Sequence, residues 1–154
     1  MNIGDRAHLF SLPAARGEEV DVGVLVGSGP IALLFIPFAF SSTCRTELCR
    51  VGSEWSDWDV ADGHVFGIAV DSPFVTAKWR AEEGIPFPVL SDFGRDVSRA
   101  YGVLDEGLIG PPGVASRSVF VIGTDGRVAY RWVAENPSVE PDYGEVRAAM
   151  QAAV

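Results

Sequence analysis

Two residues of this chain can act as thiol nucleophiles, Cys44 and Cys49, with four residues between them. Cys44 stands just after an apolar run, residues 31–40, that contains Pro37 and gives way to the polar cluster Ser41-Ser42-Thr43. Leu48, Val51, Trp55 and Trp58 then recur at i, i+3, i+7 and i+10, the spacing of one helix face, and predict a helix starting near Cys44. Gly52 weakens that helix somewhat. Free amides and the positive dipole end of a helix N-terminus favour a thiolate over a thiol, and the thiolate is the nucleophile. The bland alternative for Cys44 is a small buried core residue, common for free cysteine. Pro37, Ser41 and Cys44 stand as P-x-x-x-S-x-x-C. A hydroxyl three residues before the sulfur can contact it or a substrate oxygen, and Pro37 can keep water out of the same pocket.

Strand-like and helix-like segments alternate along the rest of the chain. Residues 8–21 suggest a hairpin, 31–36 a strand covered on both faces, and 64–70 a second buried strand. Asp71-Ser72-Pro73 opens a helix running through Trp79 to Gly84, with proline suited to its first turn. A short strand at 87–90 and a short helix at 95–101 follow, the latter ended by Gly102. Residues 104–116 read as a loop with Pro111-Pro112. Segments 118–123 and 127–133 read as a hairpin about Asp125-Gly126, and 142–152 as a closing helix. This order suits an α/β fold, a central mixed sheet flanked by helices on both faces, laid out like thioredoxin with an N-terminal extension.

Composition narrows the partners. With 154 residues, 47% apolar and 21% charged, the chain is expected to form a single domain over 1–154. Twelve basic and twenty-one acidic residues leave a net charge of −9, which repels phosphate backbones and anionic lipid heads. Neither nucleic acid nor membrane is expected as a partner. The run at 31–40 is too short to span a bilayer, and no secretory signal opens the chain, so a cytoplasmic protein is expected. In a reducing compartment a cysteine pair is more often catalytic or metal-binding than a staple.

The P-x-x-x-S-x-x-C spacing at a helix start resembles the signature of the peroxiredoxins, and Cys44-Arg45-Thr46-Glu47-Leu48 resembles the C-x-T-E-L that follows their peroxidatic cysteine. GDRAHLFSL resembles the family's opening, with His8 in place of the usual proline. FIPFAFSSTCRTEL, FPVLSDF, AYGV and ASRSVFVIGTDG look most like the AhpE-type peroxiredoxins of actinobacteria. The resemblance implies a thiol-dependent peroxidase acting on hydrogen peroxide and organic hydroperoxides through a Cys44 sulfenic acid, with no metal or organic cofactor. An arginine before a late strand completes the family's peroxide site, and by position it falls on Arg117. Glu47 resembles the glutamate that orients that arginine, although a solvated helix charge reads nearly as well. The reductant would be thioredoxin, a glutaredoxin-like protein or a low-molecular-weight thiol. A homodimer through the edge near the active-site loops is suggested.

Cys49 departs from the AhpE-type pattern of one peroxidatic cysteine. Its C-x-x-x-x-C spacing resembles the peroxiredoxin Q group, where the second cysteine resolves the sulfenic acid as an intrachain disulfide. On an intact helix, residues five apart differ by ~140° and ~7.5 Å of rise, leaving their Cα atoms ~8.7 Å apart. A disulfide needs less than about 7 Å. The first turns must therefore unwind, with Gly52 as an aid. Otherwise Cys49 is a helix-packed thiol that never reacts. A thiol–disulfide oxidoreductase, normally C-x-x-C, a metal-binding module using Cys44, Cys49, His8 and His64, and a redox-inactive interaction protein on the same fold are the rival readings.

Overall fold

The computed structural model describes residues 1–58, 62–107 and 112–154. Strands β1 (Ser11–Ala15) and β2 (Glu18–Asp21) form an antiparallel hairpin around Arg16-Gly17. Gly17 sits at φ +78°, where a residue without Cβ is unstrained. The hairpin is shorter than the sequence suggests, because His8 and Leu9 are exposed and precede it.

Strands β3 (Ile31–Phe35), β4 (His64–Ala69) and β5 (Val89–Ser91) run parallel. Strands β6 (Leu104–Asp105) and β7 (Val114–Ala115) form a two-residue ladder inside the segment read as loop. Of that segment, residues 108–111 with Pro111 lie outside the described residues. Strands β8 (Ser118–Ile122) and β9 (Val128–Val133) form the hairpin around Asp125-Gly126, with Gly126 at φ +76°. The main sheet has the order β5-β4-β3-β8-β9, antiparallel on the β8 side of β3. It is the mixed, thioredoxin-like layout that the order of elements implies.

Helices α1 (Ser42–Ser53), α2 (Pro73–Glu83), α3 (Asp96–Ala100) and α4 (Tyr143–Ala152) flank the sheet. Their ends follow local chemistry. Ser72 accepts the Val75 N–H and Pro73 fills the first turn of α2, which ends at Gly84 with φ +63°. Asp142 caps α4 through the Glu145 N–H. Helix α1 starts two residues before Cys44 and stops at Ser53. Gly52 and Ser53 are weak helix formers, and residues 55–58 continue as a separate 3-10 turn. Trp58 is still buried; the side chain of Trp55 lies outside the described residues.

All five residues of β3 are fully buried, as a strand covered on both faces must be. Its period-2 alternation divides the core. Ala32 and Leu34 face Cys44, Leu48, Trp79, Val146 and Met150, contributed by α1, α2 and α4. Ile31, Leu33 and Phe35 face Phe10, Val97 and Tyr101, from the N-terminal segment and α3. Gly67 of β4 lets α1 settle on the sheet, since a Cβ there would stand 3.2 Å from Leu48 Cδ1. No helix among the described residues is long and apolar enough to cross a membrane.

Candidate active site

The link from β3 to α1 delivers Cys44. After Pro37 the chain turns sharply at Phe40, which adopts φ +63° although it carries a Cβ. That conformation costs on the order of 1 kcal/mol. Two contacts hold the turn: the Ala39 N–H donates to Asp71 Oδ2 at 2.8 Å, and the Phe40 ring lies 6.2 Å from that of buried Trp79. Ser41 is the N-cap of α1. Its Oγ accepts the Cys44 N–H at 3.4 Å and donates to the Phe38 carbonyl at 3.3 Å. The hydroxyl expected to face the sulfur or a substrate oxygen thus serves the helix end. Cys44 falls in the first turn, its side chain fully buried.

Arg117 reaches Cys44 through strand register. Ser118 at the start of β8 pairs with Phe35 at the end of β3, so Arg117 lies beside the exit of β3 and Pro37. It is only 2% exposed, not the surface residue that its place at a strand end suggests. Each of its nitrogens has a partner. Nη2 donates to Cys44 Sγ at 3.1 Å, Nε to the Pro137 carbonyl at 3.1 Å, and Nη1 to Glu47 Oε2. Glu47 lies three residues after Cys44, on the same face of α1, and is fully buried rather than solvated. Its Oε1 has no hydrogen-bond partner among the described residues.

Burial pushes the Glu47 carboxyl up to about 7; Arg117 works against this and the charge of Glu140 adds to it. Burial would lower Arg117, but the charges of Glu47 and Cys44 outweigh it and hold the guanidinium above its ordinary value. Direct contact makes Glu47 and Arg117 an ion pair above about pH 7. The arrangement points a fixed cation at a buried sulfur, with a carboxylate and a carbonyl holding that cation in place.

Beside these groups is a surface pocket of about 310 Å³, lined by Pro37, Phe38, Ser41, Thr43, Arg117 and Pro137 among others. Pro37 is buried in its wall. Pro137 was not legible as a site residue. Its contribution is a backbone carbonyl 20 positions from Arg117, and backbone groups carry no side-chain signal. Asp71 was equally silent, since an acid before a helix reads as part of the cap.

Cys49 lies in the same unbroken helix, half-buried, and both cysteines are free thiols. Its Sγ donates to Glu83 Oε2 at 3.8 Å. Burial and then the Glu83 carboxylate raise the Cys49 thiol above its ordinary value, with Arg45 opposing. Gly52 has a packing reason as well as a propensity cost, for a Cβ there would meet Pro86 Cδ at 3.1 Å. The metal reading fails on topology. His64 begins β4 opposite Ile31, at the far end of β3 from Cys44, and its Nε2 lies 2.9 Å from Ser28 Oγ. His8 is exposed against the Tyr101 ring on the other face of the sheet. Among the described residues no cluster of three His, Cys, Asp or Glu side chains is placed to hold a metal ion.

Residues 3–131 match the AhpC/TSA family. The chain belongs to that family. It is 30% identical over 132 residues to alkyl hydroperoxide reductase E of Mycobacterium tuberculosis, covering 84% of each chain. It is 34% identical over 153 residues to a thiol peroxidase of Streptococcus sanguinis, covering 98% of this chain and 90% of the other. Among solved structures, peroxidoxin BcpB of Mycobacterium tuberculosis superposes with a TM-score of 0.86 at 28% identity, over 99% of this chain and 97% of that one. A peroxiredoxin-like protein from Aquifex aeolicus shares the fold at TM-score 0.87 and 24% identity, over 100% and 88% of the two chains. The protein is a peroxiredoxin of AhpE type, a thiol-dependent peroxidase of thioredoxin-like fold.

Proposed function

We propose that Cys44 is the peroxidatic cysteine and that Arg117, held by Glu47 and the Pro137 carbonyl, is its electrostatic partner. The observation that carries this assignment is the 3.1 Å contact from Arg117 Nη2 to Cys44 Sγ inside a buried ion pair. The Cys44 thiolate attacks one oxygen of a hydroperoxide. A sulfur–oxygen bond forms as the oxygen–oxygen bond breaks, and the departing alkoxide or hydroxide takes a proton and leaves as alcohol or water. Sulfur is oxidised by two electrons and the peroxide reduced by two. Arg117, whose Nη1 and Nη2 each carry a second hydrogen beyond the bonds to Glu47 and Cys44, stabilises the charge developing on the departing oxygen. Pro37 shields the pocket, and Ser41 holds the helix end that carries the nucleophile. A pocket of about 310 Å³ leaves room for the organic part of an alkyl hydroperoxide as well as for hydrogen peroxide.

Cys49 resolves the sulfenic acid as an intrachain disulfide once the start of α1 unwinds, and a thiol reductant then restores both cysteines. Thioredoxin, a glutaredoxin-like protein or a low-molecular-weight thiol fits that last step, in the cytoplasm, with 1–154 acting as one domain. A homodimer through the active-site edge is supported by exposed Phe38, Phe40, Phe74 and Phe93, which all follow the carboxyl ends of parallel strands β3, β4 and β5. A thiol–disulfide oxidoreductase is disfavoured because its attacking thiol must meet a disulfide on another protein, whereas Cys44 is fully buried.

Peroxide consumption tests the assignment. The expected result is stoichiometric turnover with thiol, abolished in Cys44→Ser and retained in weakened form in Cys49→Ser with added dithiol. Turnover surviving in Cys44→Ser would overturn it.

A further inference from the structure

One oxygen, Glu83 Oε2 at the end of α2, takes two groups from α1: Arg45 Nε at 2.8 Å and Cys49 Sγ at 3.8 Å. Arg45 and Cys49 are one helical turn apart and so face the same neighbour. Arg45 follows Cys44 directly, in the part of α1 that must unwind before the two sulfurs can meet. Helix α2 is a firm support, since Trp79 and Thr76 on it are fully buried and Gly84 ends it in a left-handed cap.

We propose that Glu83 is a positioning residue for the resolution step, a latch whose contacts with Arg45 and Cys49 keep the start of α1 wound and so slow the closing of the disulfide. The inference rests on the reading of Cys49 as the resolving cysteine. Resolution needs the Cys49 thiolate to attack the Cys44 sulfur. A sulfur–sulfur bond forms, the sulfur–oxygen bond of the sulfenic acid breaks, and the departing hydroxide combines with the proton released by Cys49 as water. A carboxylate against the Cys49 thiol opposes loss of that proton, and the same carboxylate ties down Arg45. Both effects slow the same step. The slow step lengthens the life of the sulfenic acid and so exposes it to a second peroxide and overoxidation to sulfinic acid. Beyond burial, which raises the Cys49 thiol most, the charged groups that face it among the described residues are Glu83 and Arg45, and they pull its titration in opposite directions, the carboxylate prevailing.

The test follows wild type and Glu83→Gln by rapid mixing with one equivalent of hydrogen peroxide, acid quench and mass measurement. Sulfenic acid should form at the same rate in both, while disulfide formation in E83Q runs about fivefold faster, the scale of a partly exposed ion pair. The dose of peroxide that yields sulfinic acid rises correspondingly. In a Cys44→Ser background, alkylation of Cys49 should reach half its maximal rate at lower pH in E83Q than with Glu83 intact, and Glu83→Asp should fall between. A structural role for Glu83 alone would not move that titration. Disulfide formation that is unchanged or slower in E83Q, with wild type still closing its disulfide, overturns the latch alone. Absence of any intrachain disulfide in wild type overturns the resolving role of Cys49 and the latch together.

Discussion

The guanidinium of Arg117 stands 3.1 Å from the sulfur of Cys44 although 73 positions separate them. The contact exists because β3 and β8 pair antiparallel in the register that sets Ser118 against Phe35. Everything proposed about peroxide chemistry depends on that register.

Arg117→Lys keeps a positive charge but loses the planar fork that serves Cys44, Glu47 and Pro137 at once. The rate of sulfenic acid formation, followed by stopped-flow fluorescence, should fall by roughly 10²–10³. Arg117→Ala is a poorer probe, since it strands a buried carboxylate at a cost of about 3–5 kcal/mol. Reaction of the lysine variant at the wild-type rate would remove Arg117 from the mechanism.

Glu47 carries a pH signature. Its carboxyl is raised from 4.5 to about 7, mainly by burial, so between those pH values the folded chain keeps a proton that the unfolded chain releases. Stability therefore falls as pH rises through that window, by about 3 kcal/mol in all, and the loss is complete above it. Glu47→Gln cannot titrate. Urea denaturation at pH 5 and pH 8 should show a smaller difference for E47Q than for wild type, and equal differences would contradict the burial argument.

For Ser41 the cap and the substrate contact make different predictions. Loss of the cap in Ser41→Ala should cost about 0.5–1 kcal/mol, the lower part of the range for a 3.4 Å contact, and should be read as a drop in Tm. Easier unwinding of α1 should also speed disulfide formation in that variant. A drop in the first-step rate with no change in Tm would place the hydroxyl on the peroxide instead.

Gly67→Ala probes the seating of α1. The added methyl would press on Leu48 Cδ1 at 3.2 Å and on Val89 at 3.5 Å, and the core is close-packed there. Thermal or denaturant unfolding should show a loss of about 1–3 kcal/mol. A stability equal to wild type would mean that α1 rides higher on the sheet than described.

Much of this site was legible one residue at a time. Pro37, Ser41 and Cys44 act within one turn and one helix start, where capping preference and apolar periodicity are properties of neighbouring residues. The β8–β9 hairpin was legible for the same reason, since Asp125-Gly126 supplies the positive φ that its turn requires. Helix α1 starts at Ser42, near Cys44 as the spacing predicts, while the choice of Ser41 as its cap was open because Ser41, Ser42 and Thr43 are each acceptable caps. The two short strands β6 and β7 were not legible because two residues hold no alternation to read.

Glu47 and Cys49 show the other side. Written in sequence they are a charge and a second thiol on one amphipathic helix, three and five positions from Cys44, and only the family resemblance gives either of them a role. Nothing adjacent says that Glu47 turns under Arg117 while Cys49 turns toward Glu83. The chain order alone settled where a nucleophile, a cap and a helix dipole come together, since each arises from hydrogen bonds between near neighbours. Which cation meets that sulfur, and which carboxylate loses its water, no residue type or spacing says: the family resemblance implied Arg117 and Glu47, and the contact itself forms only as β3, β8, α1 and α2 close on one another. Desolvation is a property of what covers a group, and no group carries its cover in its own stretch of chain.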